Sequence, residues 1–435
     1  MSTATTAQLD RSEPPPRPSV NYQSDPAKSE PSDTGIPPQN GVRAWLVVLG
    51  GFCCLFVSFG WVNCIGIFQG YYETHQLKTY NSSTVSWITS LEVFFMFLGG
   101  PFIGKVLDSY GPPWLLLVGT FLHVFGLMMA SLSTKYYQFL LSQGICSSIG
   151  ASMCFYVALG ATPGWFTKHQ ALATGIVTSG SSLGGVIFPI MINKLLPQVD
   201  FPWSMRISAF LILGLLVVAN LVIRTRLPPP RNVGGIQDYL EPFQDLKFII
   251  VSIGTLLFSF GLFTPVNYLV AEAEHLGMSQ DMAVYTVAIF NGASLFGRTI
   301  PNYLADRFGR FNIMLIMSCI ASICILAIYI PVTSNTGIIV FASVFGFASG
   351  AFVSLAPTIM AQISPLGKVG QRIGTMYGMA SLGALFGSPI GGALIKSWGG
   401  SYTGMIVFSG VMEFGGFLSF AIARYLQSGI ALVKV

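Results

Sequence analysis

From Ala44 to Arg424 the chain is a succession of apolar stretches of about twenty residues, parted by short polar breaks, and that spacing leaves few folds open. About twenty helical residues cross the roughly 30 Å of hydrocarbon in a bilayer. In lipid every backbone N–H and C=O needs a partner within the chain, so such stretches cross as helices. They fall near 44–69, 85–107, 113–132, 136–160, 170–193, 205–223, 247–270, 282–303, 312–331, 336–360, 372–395 and 402–424. A soluble fold is excluded by charge: 9% of the 435 residues are charged and 52% hydrophobic, against about 25% charged in a soluble domain. The expected fold class is all-α integral membrane, with twelve transmembrane helices in two pseudo-symmetric six-helix bundles.

Residues 1–40 hold eight prolines and almost no aliphatic cluster, which predicts a disordered tail. That tail has no apolar core of a signal peptide, so the first span is expected to act as an uncleaved anchor. With the tail cytoplasmic, sixteen of the 22 Lys and Arg fall on the inner side and five on the outer, leaving Arg298 inside a span. That bias puts both termini in the cytoplasm. The plasma membrane is the expected location, with a vacuolar or other organelle membrane as alternative. The expected layout is a bundle over 41–223, a connector over 224–246, a second bundle over 247–425 and a tail over 426–435.

The halves repeat at an offset of about 200 residues. Asp108 and Gly111 correspond to Asp306 and Gly309. Gly150-Ala151 corresponds to Gly350-Ala351, and Ser182-Leu183-Gly184 with Pro189-Ile190 to Ser381-Leu382-Gly383 with Pro389-Ile390. Repeats in the same direction place a solute at the midplane between two bundles that rock against each other.

Asp108, Asp306, Arg307 and Arg310 are the candidate conformational latch. A carboxylate at the end of a span can accept from the N-terminus of a neighbouring helix, and the glycines permit a tight turn. An ordinary basic inner loop is the competing reading. The stretch Gly297 to Arg310, with Gly104 to Gly111 in the first half, resembles the inner-loop signature of the major facilitator superfamily, although Pro112 and Pro113 replace basic residues in the first copy. Trp165 to Gly180 resembles the span-five motif of the monocarboxylate porter family. Asn40 to Trp45 resembles that family's span-one motif, with Asn40 in place of an acid. The resemblance covers about 40–425 and is nearest the fungal-type branch. It implies the major facilitator fold and alternating access.

Arg298 is the sharpest single position, because a guanidinium inside a span costs about 2.5–3.5 kcal/mol on insertion scales. Asn291 and Ser294, seven and four residues earlier, share its helical face. That stripe suits a carboxylate, and a snorkelling arginine is the alternative. By resemblance Arg298 matches the arginine that monocarboxylate porters use for substrate anions. The family's proton-linked members carry an acid where this chain has Ser294 and a lysine where it has Asn63, which puts simple lactate–proton cotransport in doubt. Glu92 is the candidate replacement for proton coupling. Asn63, Asn267 and Tyr268 join the candidate solute contacts. Pro265 and Pro357 are expected to break spans seven and ten, and Glu413 reads as structural.

The seven cysteines lie in apolar segments and the four histidines have no companion at ligand spacing, so no metal or cofactor is expected. No GxxxxGK[ST] loop is present, which argues against ATP-driven pumping. The modest, scattered +5 charge gives no sign of nucleic-acid binding. The expected function is a secondary active transporter, not an enzyme, that moves a small organic solute, with a monocarboxylate-like anion as the leading candidate and a proton as candidate partner. Export of a secondary metabolite and uptake of a vitamin-like solute are the alternatives within that fold. A non-transporting solute receptor is the alternative outside it.

Overall fold

The computed structural model describes residues 41–226 and 237–429. The expected tails, at 1–40 and within 430–435, and the middle of the connector lie outside the described residues.

Ten of the described helices are long and apolar enough to cross a membrane. One of them, Gln170–Val222, is two limbs that meet at Asp200, whose φ of 59° and ψ of 170° stop the helix between Pro197 and Pro202. Another long helix, Gln280–Phe308, is less apolar because it carries Asn291, Arg298, Asp306 and Arg307. Twelve crossings result. In chain order they are α1 (Val42–Val62), α2 (Thr84–Tyr110), α3 (Pro112–Ala130), α4 (Tyr136–Trp165), α5 (170–199), α6 (201–222), α7 (Leu246–His275), α8 (Gln280–Phe308), α9 (Arg310–Tyr329), α10 (Asn335–Ile363), α11 (Val369–Ser397) and α12 (Thr403–Ser428).

The two halves meet along a pseudo-symmetric seam. Helix α5 packs on α8 and α10, and its repeat partner α11 packs on α2 and α4. Glycine permits both approaches. A methyl on Gly104 of α2 would overlap the carbonyl of Gly370 at the start of α11, and one on Gly175 of α5 would overlap the carbonyl of Arg298 in α8. Small residues let membrane helices approach until backbones touch, and here they fix how closely the halves join.

Two expectations about helix breaks are corrected. Pro265 lies inside the continuous α7, and Pro357 inside the continuous α10. A proline removes one ladder bond, and neighbouring helices keep the rest of the span helical. The break falls instead in the first span. There Ser58 Oγ donates to Cys54 O at 2.6 Å and Asn63 Nδ2 to Phe59 O at 3.0 Å, and the chain resumes as a helix over Ile65–Thr74. Side chains that compete for backbone carbonyls loosen a helix in this way. Asn63 is thereby placed at an irregular point of the seam.

Candidate functional site

Arg298 is 4% exposed, two-thirds of the way along α8. Its Nε donates to Ser294 Oγ at 3.2 Å, and its Nη1 donates to the carbonyl of Thr178 at 2.7 Å and to Ser181 Oγ. Both Nη1 partners lie on α5, which comes within reach because Gly175 has no side chain. Every one of these partners is neutral. Among the described residues the ion pairs are Lys105–Asp238, Arg310–Asp306, Lys368–Glu241 and Arg372–Asp245. None involves Arg298. A buried cation is thus oriented by dipoles and lacks a counter-ion, and a bound anion would supply one.

The same face of α8 continues the polar stripe. Ser294 Oγ accepts from Ser182 Oγ at 3.3 Å, and Asn291 Nδ2 donates to Asn63 Oδ1 at 2.9 Å. The structure therefore brings Arg298, Ser294, Asn291 and Asn63 together, with Ser181 and Ser182 of α5 added. The sequence marked Ser182 only as part of the internal repeat and passed over Ser181, since both read as small residues of a glycine-rich span. Asn267 and Tyr268 do not join this group. They lie past Phe263 on α7, where Asn267 Nδ2 donates to Ser388 Oγ at 2.7 Å and Tyr268 Oη to Ser388 O at 2.9 Å. Their bonds tie α7 to α11.

Beside Arg298, between the halves, lies a nearly closed hollow of about 20 Å³, lined mainly by rings that pack on one another. Phe59, Phe97 and Phe155 come from the first half and Phe263, Phe352 and Tyr377 from the second. The Arg298 guanidinium carbon is 5.9 Å from the Phe59 ring centre, so the cation sits at the edge of this aromatic enclosure. Sequence reasoning missed these rings. In a chain with 34 phenylalanines nothing local marks the ones that face inward.

At one end of the bundle the two aspartates make matching contacts. Asp306 accepts from the amides of Ala171 at 3.0 Å and Leu172 at 2.8 Å, at the start of α5. Asp108 accepts from the amides of Gly370 at 3.0 Å and Gln371 at 2.8 Å, at the start of α11. A carboxylate at a helix N-terminus meets unpaired N–H donors and the positive end of the helix dipole. Each aspartate belongs to the half opposite the helix it holds. Gly111 and Gly309, at φ of 78° and 102°, turn the chain sharply after each one. Arg310 Nη2 donates to Gln170 Oε1 at 2.8 Å and lies 4.0 Å from Asp306. Arg307 is exposed and lies 4.5 Å over the Tyr303 ring, outside these contacts.

The model of the Major Facilitator Superfamily family matches residues 50–328 and again 251–429. The chain belongs to that superfamily. It is 51% identical over 418 residues to the "MFS transporter asaE" of Aspergillus flavus, covering 96% of this chain and 94% of the relative. It is 44% identical to the "Fujikurins efflux protein" of Gibberella fujikuroi, over 94% of this chain and 88% of that one. The "Aspyridones efflux protein apdF" of Emericella nidulans is 40% identical, over 90% and 80%. Among solved structures, the fold is similar to that of the superfamily transporter FucP in its outward conformation, with a TM-score of 0.69, 14% identity, and coverage of 87% of this chain and 99% of that one.

This superfamily transporter is a multi-pass membrane protein, and further acids lie buried within it. Glu92 of α2 accepts from Gln143 Nε2 at 2.9 Å, and Tyr72 donates to the same glutamine's Oε1 at 2.5 Å. That cluster is confined to the first half. Glu272, near the end of α7, accepts from Tyr329 Oη of α9. The sequence reading missed it because it stands beside a polar loop. Glu413 of α12 is fully buried, and neither carboxyl oxygen has a hydrogen-bond partner.

Proposed function

We propose that this transporter exports a small organic acid by alternating access, with the acidic group of the cargo held at Arg298. The observation that carries the reading is a buried guanidinium on the seam between the halves whose bonded partners are all neutral. Insertion of that cation has a cost, and a counter-ion that comes and goes gives it a use. The finer family, the monocarboxylate porters, is supported by the same arginine and by the motif from Trp165 to Gly180. Export is supported by the efflux proteins among its relatives.

In this reading the bundles are 41–223 and 247–425, the connector is 224–246, and both termini face the cytoplasm, in the plasma membrane. Asp108, Asp306 and Arg310 then latch the cytoplasmic side shut. Cargo in the seam compensates for the loss of those bonds when the halves rock. Glu92 is the candidate proton carrier. The serine and asparagine at the family's usual titrating positions leave this role to another acid.

Direction is tested in sealed membrane vesicles of both orientations from cells that overproduce the protein, with labelled aromatic and aliphatic acids. Accumulation confined to inside-out vesicles, enhanced by an acid interior, supports proton-driven export. Accumulation confined to right-side-out vesicles makes the protein an uptake carrier.

A further inference from the structure

The hollow beside Arg298 offers a guest almost nothing polar. Ser259 Oγ donates to Thr255 O at 2.7 Å and Tyr377 Oη to Val353 O at 3.2 Å, so both lining hydroxyls already spend their donors within the protein. A polyhydroxylated guest would leave its hydroxyls without partners, and a buried polar group without a partner is unfavourable. A very short aliphatic acid would reach Arg298 and leave the rings without new partners once the halves part.

The rings themselves form one continuous cluster across the seam. Phe97 of the first half stacks on Tyr377 of the second at 5.6 Å and 15°, and Phe59 meets Phe263 edge-on at 6.4 Å and 88°. Phe97 also contacts Phe263 at 6.0 Å, and Phe155 meets Tyr377 at 5.4 Å. These are the contacts that separate when the halves move apart. A flat unsaturated guest can replace each with an equivalent ring contact, and a saturated guest of equal volume cannot. Stacked and edge-on pairs add to the gain from burial alone because the ring face is negative and its edge positive.

We infer that the cargo is an amphipathic acid whose body is a planar, unsaturated ring or polyene system, seated among Phe59, Phe97, Phe263 and Tyr377 with its acidic edge toward Arg298. The inference rests on the proposed function and adds the chemistry of the body. Six of the ten lining residues are aromatic, against three aliphatic ones (Leu262, Val353 and Ala380), and the rings supply the contacts across the seam, which is why the body is read as aromatic or conjugated.

The test uses the full chain in liposomes with three labelled probes: 2-naphthoate, its fully saturated decahydro analogue, and propionate. The expected result is half-saturation for naphthoate about tenfold below that of the saturated analogue, the ratio that one to two ring contacts provide, with propionate weaker still. Phe97→Leu and Tyr377→Leu should each narrow the gap between naphthoate and its saturated analogue. Arg298→Gln should weaken naphthoate and its analogue alike. Binding of naphthoate to the unmodified protein, read by thermal shift, gives an answer even where a variant fails to fold. If the saturated analogue or propionate is bound and moved as well as naphthoate, the aromatic inference is wrong and the transport reading stands. If none of the three is bound or moved, the Arg298 reading fails and takes this inference with it.

Discussion

Asp306 and Asp108 make the same bond on opposite sides of the seam: Oδ2 of Asp306 accepts from the amide of Leu172, and Oδ2 of Asp108 from that of Gln371, both at 2.8 Å. Removing a helix-capping carboxylate costs about 1 kcal/mol. Asp108→Ala and Asp306→Ala should therefore each shift the balance between closed and open forms of this end about fivefold, and the double variant should approach the product. Distances between spin labels on the two halves report the shift. A double variant no more open than either single one would argue against two independent latches.

Gly104 and Gly66 give a contrasting pair. A methyl on Gly104 meets the backbone of Gly370 and Gln371, which cannot move aside as a flexible side chain can, whereas one on Gly66 meets nothing within 4 Å. Gly104→Ala should destabilise the closed seam by about 1–3 kcal/mol, and Gly66→Ala should be neutral or slightly stabilising. Thermal unfolding in detergent compares them directly.

Lys105 Nζ lies 2.5 Å from Asp238 of the connector and holds that carboxyl below its ordinary 3.8. A carboxyl with a lowered folded-state pKa stabilises the fold above the ordinary value and loses that contribution as pH falls through the lowered one. The stability gap between the protein and Asp238→Asn should therefore be present at neutral pH and close in acid below the usual carboxylate range. The site is open to water, so the gap is small and shrinks with added salt. Unfolding curves at several pH values measure it.

Glu413 has neither carboxyl oxygen bonded, in a fully buried site. Replacing a buried polar group that lacks partners by an apolar one of similar shape removes a desolvation cost of about 1–3 kcal/mol. Glu413→Met should raise the melting temperature and leave transport intact. A loss of transport with stability retained would give this acid a working role.

The spans were legible because length and apolarity are local properties, and the aspartates were legible because an acid at the end of a span is conspicuous. Their partners were not. Asp108 meets Gln371 across 263 positions of sequence, and no local pattern specifies that pairing. The aromatic hollow was hidden for a related reason. Phe97 is buried in the ring cluster while Phe121 is 64% exposed on the outer surface, yet both sit in equally apolar stretches. In lipid, apolar residues face inward and outward alike, so the inward–outward pattern of a soluble core is lost. The break in α1 was not legible because Ser58 and Asn63 act through hydrogen bonds to the preceding turn, whereas proline is the stronger local signal.

The most direct measurement is the equilibrium binding of labelled 2-naphthoate to the purified protein and to Arg298→Gln and Arg298→Lys. Loss of a buried charge-assisted contact of about 1.5–3 kcal/mol corresponds to a roughly 10- to 150-fold weaker affinity for Arg298→Gln. The lysine variant should recover part of it, since it restores the charge without the forked geometry. Unchanged affinity in a well-folded Arg298→Gln protein would contradict an acidic cargo held at this arginine.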